Sequence, residues 1–337
     1  LKIGTVRHDL ALEVPFAISR SVTSTHAIVV AELHHGSFIG YGEASPSAYY
    51  GDSPDLAEEA IDGAGRFIGN DPFAILRVSE SMAEAYPRSP SGRAAVEMAM
   101  FDLAGKMVGE PVFRMLGLSG MRVPRTSLTV GVTDVALAER RLPYLRGFPI
   151  LKAKVGFGDE CGLLDLLKRK TTATLRVDAN EGWTLNEALT KIDDYRDEYA
   201  IEFFEQPLPK EDMDGYRELA RRTGATIILD ESISCKEDVL KWSGSASGIN
   251  IKLMKCGGLL EALRMIGVAR AAGMQVMLGC MVESSLAISA AAHLAPLVDF
   301  CDLDGNLLIA DDPFEGVKGE GGILTLPDSP GLGVTPA

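Results

Sequence analysis

This chain is short of the residues on which several common chemistries depend. Its five cysteines, Cys161, Cys235, Cys256, Cys280 and Cys301, are scattered with no Cys-x-x-Cys pair. That argues against a zinc ribbon or a disulfide framework and suits a reducing cytoplasm. Only five histidines occur, at 8, 26, 34, 35 and 293, so neither a Ser-His-Asp triad nor a His-rich metal centre is expected in the later chain. Basic charge is also scarce: 33 Lys and Arg against 47 Asp and Glu leave a net charge of −14. Nucleic acid and anionic membranes both call for a basic stripe and are not expected partners. The longest stretch without Asp, Glu, Lys or Arg, Ser284 to Val298, has fifteen residues and contains His293 and Pro296. It is too short and too polar to span a bilayer. Leu1 to His8 lack the apolar segment of a secretory signal, and none is expected. These absences leave a cytoplasmic globular protein, enzymatic or ligand-binding, with a homo-oligomer left open. At 337 residues it has the length of two domains of roughly 150 residues each.

Residues 1–45 read as strands. Thr25 to Leu33 is β-branched and apolar, and a turn at His34 to Ser37 precedes Phe38 to Gly42. One helix is expected from Asp52-Ser53-Pro54 towards Ile68. A second begins near Ser89-Pro90-Ser91, with Ala94, Ala95, Met98, Ala99, Leu103 and Ala104 on one face, as the helical period requires. From about residue 125 short apolar strands alternate with helical stretches: SLTVGV (127–132), ILKAKV, TLRV, IEFF, TIIL, GINI, QVML and VDFC. Eight such strands predict a parallel (β/α) barrel over 121–310. An α+β cap is expected over 1–120, with 311–337 packing back on it. An open doubly wound sheet is disfavoured because no GxGxxG follows any strand, and Gly156-x-Gly158 is only a fragment of that fingerprint.

The informative feature is where charge interrupts the apolar strands. Lys154, Asp178, Glu205, Asp230 and Lys252 follow one another at intervals of 24, 27, 25 and 22 residues, each the length of one helix plus one strand. A barrel would bring all of them to the C-terminal mouth of the strands, the face on which barrel active sites are built. A single acid at a strand end is as readily a helix cap. Three at one phase, Asp178, Glu205 and Asp230, would repel one another unless a cation lay among them. Oxygen-only ligation suits Mg²⁺. Lys152 and Lys154 share a face by the period of two, and Lys252 lies four units further round, opposite them. A lysine of pKa ~10.4 is a poor base at neutral pH, and a neighbouring ammonium or divalent cation is expected to lower it. A purely ion-pairing role for any of these lysines, and for Lys255, is the competing reading. On the last strand Asp302 and Asp304, at i and i+2, face the same side.

Lys-Ala-Lys at 152–154, Val-Asp-Ala-Asn at 177–180, Glu-Gln-Pro at 205–207, Asp-Glu-Ser at 230–232 and Asn-Ile-Lys-Leu-Met-Lys-Cys-Gly-Gly at 250–258 together resemble the enolase superfamily, muconate-lactonizing-enzyme subgroup. The resemblance spans essentially the whole chain and implies a modified (β/α) barrel with a capping domain. It implies one Mg²⁺ on Asp178, Glu205 and Asp230, and a lysine that removes the proton α to a carboxylate to give an enolate. Lys154 and Lys252 on two faces would fit a 1,1-proton transfer, with Lys152 beside them. Asp302-x-Asp304 is similar to the pair that holds the α-amino group in dipeptide epimerases. In the cap, Phe16 to Ser21 resembles the mobile loop of those enzymes. Arg20 is there a candidate partner for an acidic side chain, which makes L-Ala-D/L-Glu the first substrate expected. Tyr49 or Tyr50 would wall the pocket, and Thr129 is a further candidate contact.

The alternatives within the superfamily are an o-succinylbenzoate synthase, an N-succinylamino acid racemase and a muconate cycloisomerase. Their substrates are anionic where Asp302 and Asp304 would stand. From other classes, a metal-free Schiff-base lyase would use Lys154 or Lys252 as nucleophile, and a binding protein would keep the fold without chemistry.

Overall fold

The computed structural model describes residues 1–131 and 134–337. The chain opens with a long antiparallel hairpin, β1 (Lys2–Ile18) and β2 (Ser21–His35), turned by Ser19 and Arg20 alone. The pairing register slips between Ala11 and Phe16, around Pro15, which cannot donate to the ladder. The segment that resembles a loop, Phe16 to Ser21, is therefore the tip of a hairpin. β3 (Phe38–Ala44) pairs with β2 and closes a three-stranded sheet.

Helix Pro90–Val108 lies across this sheet. Gly40 and Gly42 permit the close approach: a Cβ on either would stand 2.1 Å from the Ala99 carbonyl oxygen or 1.9 Å from that of Ala95. The expected face of Ala94, Ala95, Met98, Ala99, Leu103 and Ala104 is buried, but so are Val96, Glu97, Met100 and Asp102. The helix is enclosed on all sides, not on one. The helix expected towards Ile68 is divided at Ala64 into Pro54–Gly63 and Gly65–Ile68. A further helix, Ile75–Ala85, joins them.

Eight parallel strands follow: β4 (Leu128–Val130), β5 (Ile150–Lys154), β6 (Thr174–Asp178), β7 (Ile201–Glu205), β8 (Ile227–Leu229), β9 (Gly248–Ile251), β10 (Gln275–Gly279) and β11 (Phe300–Asp302). They pair in sequence order. A parallel bridge from Thr126 to Cys301 brings the two edges together, so the sheet closes as the alternation predicted. Val132, the end of the expected first strand, lies outside the described residues.

Inside the barrel Phe203, Ile228 and Met277 form a small apolar cluster of their own. Arg176 on β6 is also buried there. Its guanidinium donates to the Cys301 carbonyl (2.7 Å), Ser127 Oγ (3.2 Å) and Glu202 (2.7 Å), which meets the requirement that an interior charge be paired. At the chain's end Gly331 and Leu332 hydrogen-bond to Glu110, Val112 and Asp102 near the C-terminus of the cap helix. No helix among the described residues is long and apolar enough to cross a membrane.

Candidate active site

The strand ends converge as their spacing predicts. Asp178 and Glu205 are direct partners in the β6–β7 register, and Asp230 follows the last residue of β8. All three are fully buried. Lys152 and Lys154 point inward from β5. Lys152 Nζ stands 3.0 Å from Asp178, 2.7 Å from Glu205 and 2.7 Å from Asp302. Lys154 Nζ donates to Asp178 Oδ2 (2.6 Å) and Asn180 Oδ1 (3.0 Å). Lys252, at the end of β9 and so across the ring from β5, donates to Asp230 Oδ2 (2.8 Å).

The electrostatics follow from this crowding. Burial disfavours the Asp178 carboxylate, yet Lys154 and Lys152 hold its pKa down to about 2. Glu205 goes the other way, to about 7, because burial and the neighbouring Asp178 outweigh Lys152. At Asp230 burial is overcome by Lys252 and Lys255, which hold it far below the usual carboxylate range. At two of the lysines the acids outweigh burial. Burial lowers Lys252, as does Lys152, but Asp230 and the other acids raise it above its ordinary value. Lys152 is raised in the same way, with burial overcome by Asp302, Glu205 and Asp178.

Asp178, Glu205 and Asp230 offer only hard oxygen donors, the chemistry that Mg²⁺ prefers. Glu205 Oε2 is buried without a well-formed hydrogen bond although Lys152 Nζ is near, so it has capacity to spare. The donor set fits a divalent cation. As they stand, no three acid, histidine or cysteine side chains among the described residues share one point closely enough to hold an ion; their oxygens are turned to the ammonium groups.

Above this floor opens a cavity of about 630 Å³, lined by Lys152, Lys154, Lys252, Asp230, Asp302 and Asp304 among others. The two last acids face the same cavity but are not equivalent. Asp302 is held by Lys152 and by Ser127 Oγ (2.6 Å). Among the described residues Asp304 accepts the Thr129 backbone N–H (2.5 Å) and a longer contact from Cys280 Sγ (3.8 Å), and burial together with Asp302 raises its pKa to about 6. Thr129 thus reaches the cavity on β4 and also positions Asp304. Tyr49 and Tyr50 wall the opposite side, as expected.

Arg20 is at the cavity rim, but its partners belong to the protein. Nη2 donates to Glu231 Oε1 (2.8 Å), Nη1 to the Asn180 carbonyl (3.2 Å), and the guanidinium lies 4.1 Å from the Tyr49 ring centroid. Without substrate, the carboxylate paired with Arg20 is the protein's own Glu231. Asn180 and Glu231 were missed as site residues, and Lys255 has the ion-pairing role that was the competing reading for it. Asn180 and Glu231 sat within Val-Asp-Ala-Asn and Asp-Glu-Ser. Lys255, one helical turn past Lys252, caps Asp230 through Oδ1 (2.5 Å) and its carbonyl oxygen (2.6 Å). Asn180, Glu181 and Gln206 all have positive φ, a costly backbone conformation that clusters at functional sites.

Residues 2–117 match the mandelate racemase/muconate lactonizing enzyme N-terminal domain, and residues 134–337 match the enolase C-terminal domain-like family. The L-Ala-D/L-Glu epimerase of Bacteroides thetaiotaomicron is 35% identical over 99% of this chain and 88% of its own length. Among solved structures, the dipeptide epimerase from Enterococcus faecalis complexed with Mg and L-Leu-L-Tyr superposes with a TM-score of 0.92 at 31% identity, covering 99% of this chain and 98% of that one. A substrate-liganded complex of the L-Ala-D/L-Glu epimerase from Bacillus subtilis gives 0.90 at 33% identity, covering 100% and 99%.

Proposed function

The chain belongs to the mandelate racemase/muconate lactonizing enzyme family of the enolase superfamily, and within it we propose a Mg²⁺-dependent dipeptide epimerase that inverts the α-carbon of the C-terminal residue. The observation that carries this reading is the placement of Lys154 and Lys252 on opposite strands of the ring, both lining the one cavity whose floor holds the acid cluster. A planar carbon seated between them would present one face to each ammonium or amine. One lysine removes the α-proton and the other delivers a proton to the far face, so the configuration inverts with no net change in composition.

Asp178, Glu205 and Asp230 would hold the Mg²⁺, which when bound supplies positive charge beside the substrate carboxylate as the α-carbon loses its proton. Lys255 keeps Asp230 oriented, and Asn180 does the same for Lys154. Asp304, with an oxygen unclaimed by any ammonium, is the group to receive the dipeptide's α-amino group. Asp302 supports it from below by holding Lys152. An acid at that position favours a cationic amino terminus over the anionic succinyl or muconate groups of the other family substrates. A cytoplasmic setting is part of the reading and is supported by five cysteines that are all free thiols.

L-Ala-L-Glu is the first dipeptide to assay, being the substrate pair named for the Bacteroides and Bacillus proteins. The test is chiral chromatography of L,L-dipeptides, N-succinyl amino acids and muconate after incubation with enzyme and Mg²⁺. An L,D product from dipeptides, with the other two classes slow, is expected. Faster turnover of an N-succinyl amino acid or of muconate contradicts the reading.

A further inference from the structure

From the charges that line the cavity above its floor, we infer that the residue being inverted carries an uncharged side chain, apolar or amide-bearing, in preference to glutamate. This rests on the dipeptide reading above. The floor is occupied by the groups that would hold the carboxylate, the α-carbon and the amino terminus. The side chain is left the wall built by the β1–β2 hairpin, residues 46–54 and the loop after β11. Phe16, Ile18, Ala27, Pro46, Ala48 and Leu308 are its apolar members.

Only two basic side chains line that wall among the described residues, Arg20 and His26. Arg20 is committed at both terminal nitrogens, to Glu231 (2.8 Å) and to the Asn180 carbonyl (3.2 Å), and lies 3.6 Å from Glu181 as well. With two carboxylates already against it, its charge is neutralised before any substrate enters. His26 is likewise engaged within the protein. Ser45 Oγ donates to the Val282 carbonyl (2.8 Å), so the contact of 2.8 Å between that Oγ and His26 Nε2 requires the proton to sit on Nε2. That Nε2 proton is spent within the protein, and burial lowers the pKa of the ring.

A glutamate carboxylate would enter a wall that already faces Glu231 and Asp304 and whose own basic groups, Arg20 and His26, are already engaged, and burying a charge without a close partner is costly. Of the acids on that wall, Asp52 has both oxygens occupied by Ser53 and Ser91, and Glu231 Oε1 is taken by Arg20 and Asn180 while its Oε2 is buried with no hydrogen-bond partner among the described residues.

The near-isosteric dipeptides L-Ala-L-Gln, L-Ala-L-Met and L-Ala-L-Glu, assayed with the Mg²⁺-loaded wild-type enzyme, test this. The kcat/KM for Gln or Met should exceed that for Glu by about tenfold or more. Equal or faster turnover of the Glu dipeptide overturns the inference and leaves the epimerase reading standing; turnover of none of the three also overturns the inference, and the epimerase reading falls with it only if no L,L-dipeptide of a wider set is turned over. Arg20→Ala gives a second measurement. If Arg20 ties the hairpin to the barrel, all three dipeptides lose activity together and the Gln-to-Glu ratio holds within about twofold. A loss confined to the Glu dipeptide would show that Arg20 leaves Glu231 to bind substrate, and the inference would fall.

Discussion

Lys152 Nζ lies 2.7 Å from Asp302 Oδ2, so the first acid of the Asp-x-Asp pair is bound to the barrel floor and the second, Asp304, is the one turned to the cavity. Replacing the two should therefore have different consequences. Asp302→Asn leaves the buried Lys152 ammonium with two carboxylates in place of three and should cost about 1–3 kcal/mol of stability, read as a lower denaturant midpoint. Asp304→Asn should leave that midpoint close to wild type and raise KM for dipeptides far more than for N-acetyl amino acids. Equal losses on both substrate classes would remove Asp304 from the amino-terminal subsite.

Lys154→Ala and Lys252→Ala should each reduce epimerisation by about 10²–10⁴-fold, the usual contribution of a positioned acid or base. One variant should still exchange the α-proton of a single stereoisomer, because the lysine left behind reaches one face only. Near-wild-type inversion by either variant would contradict the two-base scheme.

Mg²⁺ should raise the melting temperature of the wild-type protein, by the mass-action stabilisation any native-state ligand confers, and Asp230→Asn should abolish the shift. EDTA should stop turnover and fresh Mg²⁺ restore it. Borohydride trapping of a substrate adduct on Lys154 or Lys252 in the presence of EDTA would instead support Schiff-base chemistry.

His293, far from the cavity, gives a prediction about pH. Its ring is buried, Nδ1 accepts the Phe113 N–H (3.1 Å), and burial lowers its pKa to about 4. Unfolded histidine titrates near 6.5, so between those values the unfolded state binds the extra proton and folding stability falls as pH drops. The loss is complete below about pH 4 and amounts to about 3 kcal/mol. Urea midpoints for wild type and His293→Gln across pH 4 to 7 measure it: the variant should show the shallower slope, and parallel curves would contradict the assignment.

Much of this site was legible in the sequence because a βα repeat converts spacing into position. Asp178, Glu205 and Asp230 could be placed at one mouth, and Lys252 opposite Lys154, from the intervals alone. Pairing was not legible. A period of two puts Asp302 and Asp304 on one face but does not say that Lys152 reaches one of them from another strand. Arg20 and Glu231 are joined across 211 positions, and no local pattern encodes such a contact. The helix Ile75–Ala85 is a different case. Its buried Ile75, Val78 and Met82 carried a helical spacing that was open to reading. The all-round burial of Pro90–Val108 depended on the barrel helices meeting its far side, which its own periodicity does not report.

The most direct test is proton NMR of the enzyme with Mg²⁺ and a set of L,L-dipeptides in D₂O. The account predicts loss of the α-proton signal at the C-terminal residue alone, with the L,D diastereomer growing in as deuterium enters. No exchange at any α-carbon across the set, or exchange at the N-terminal residue, would contradict it.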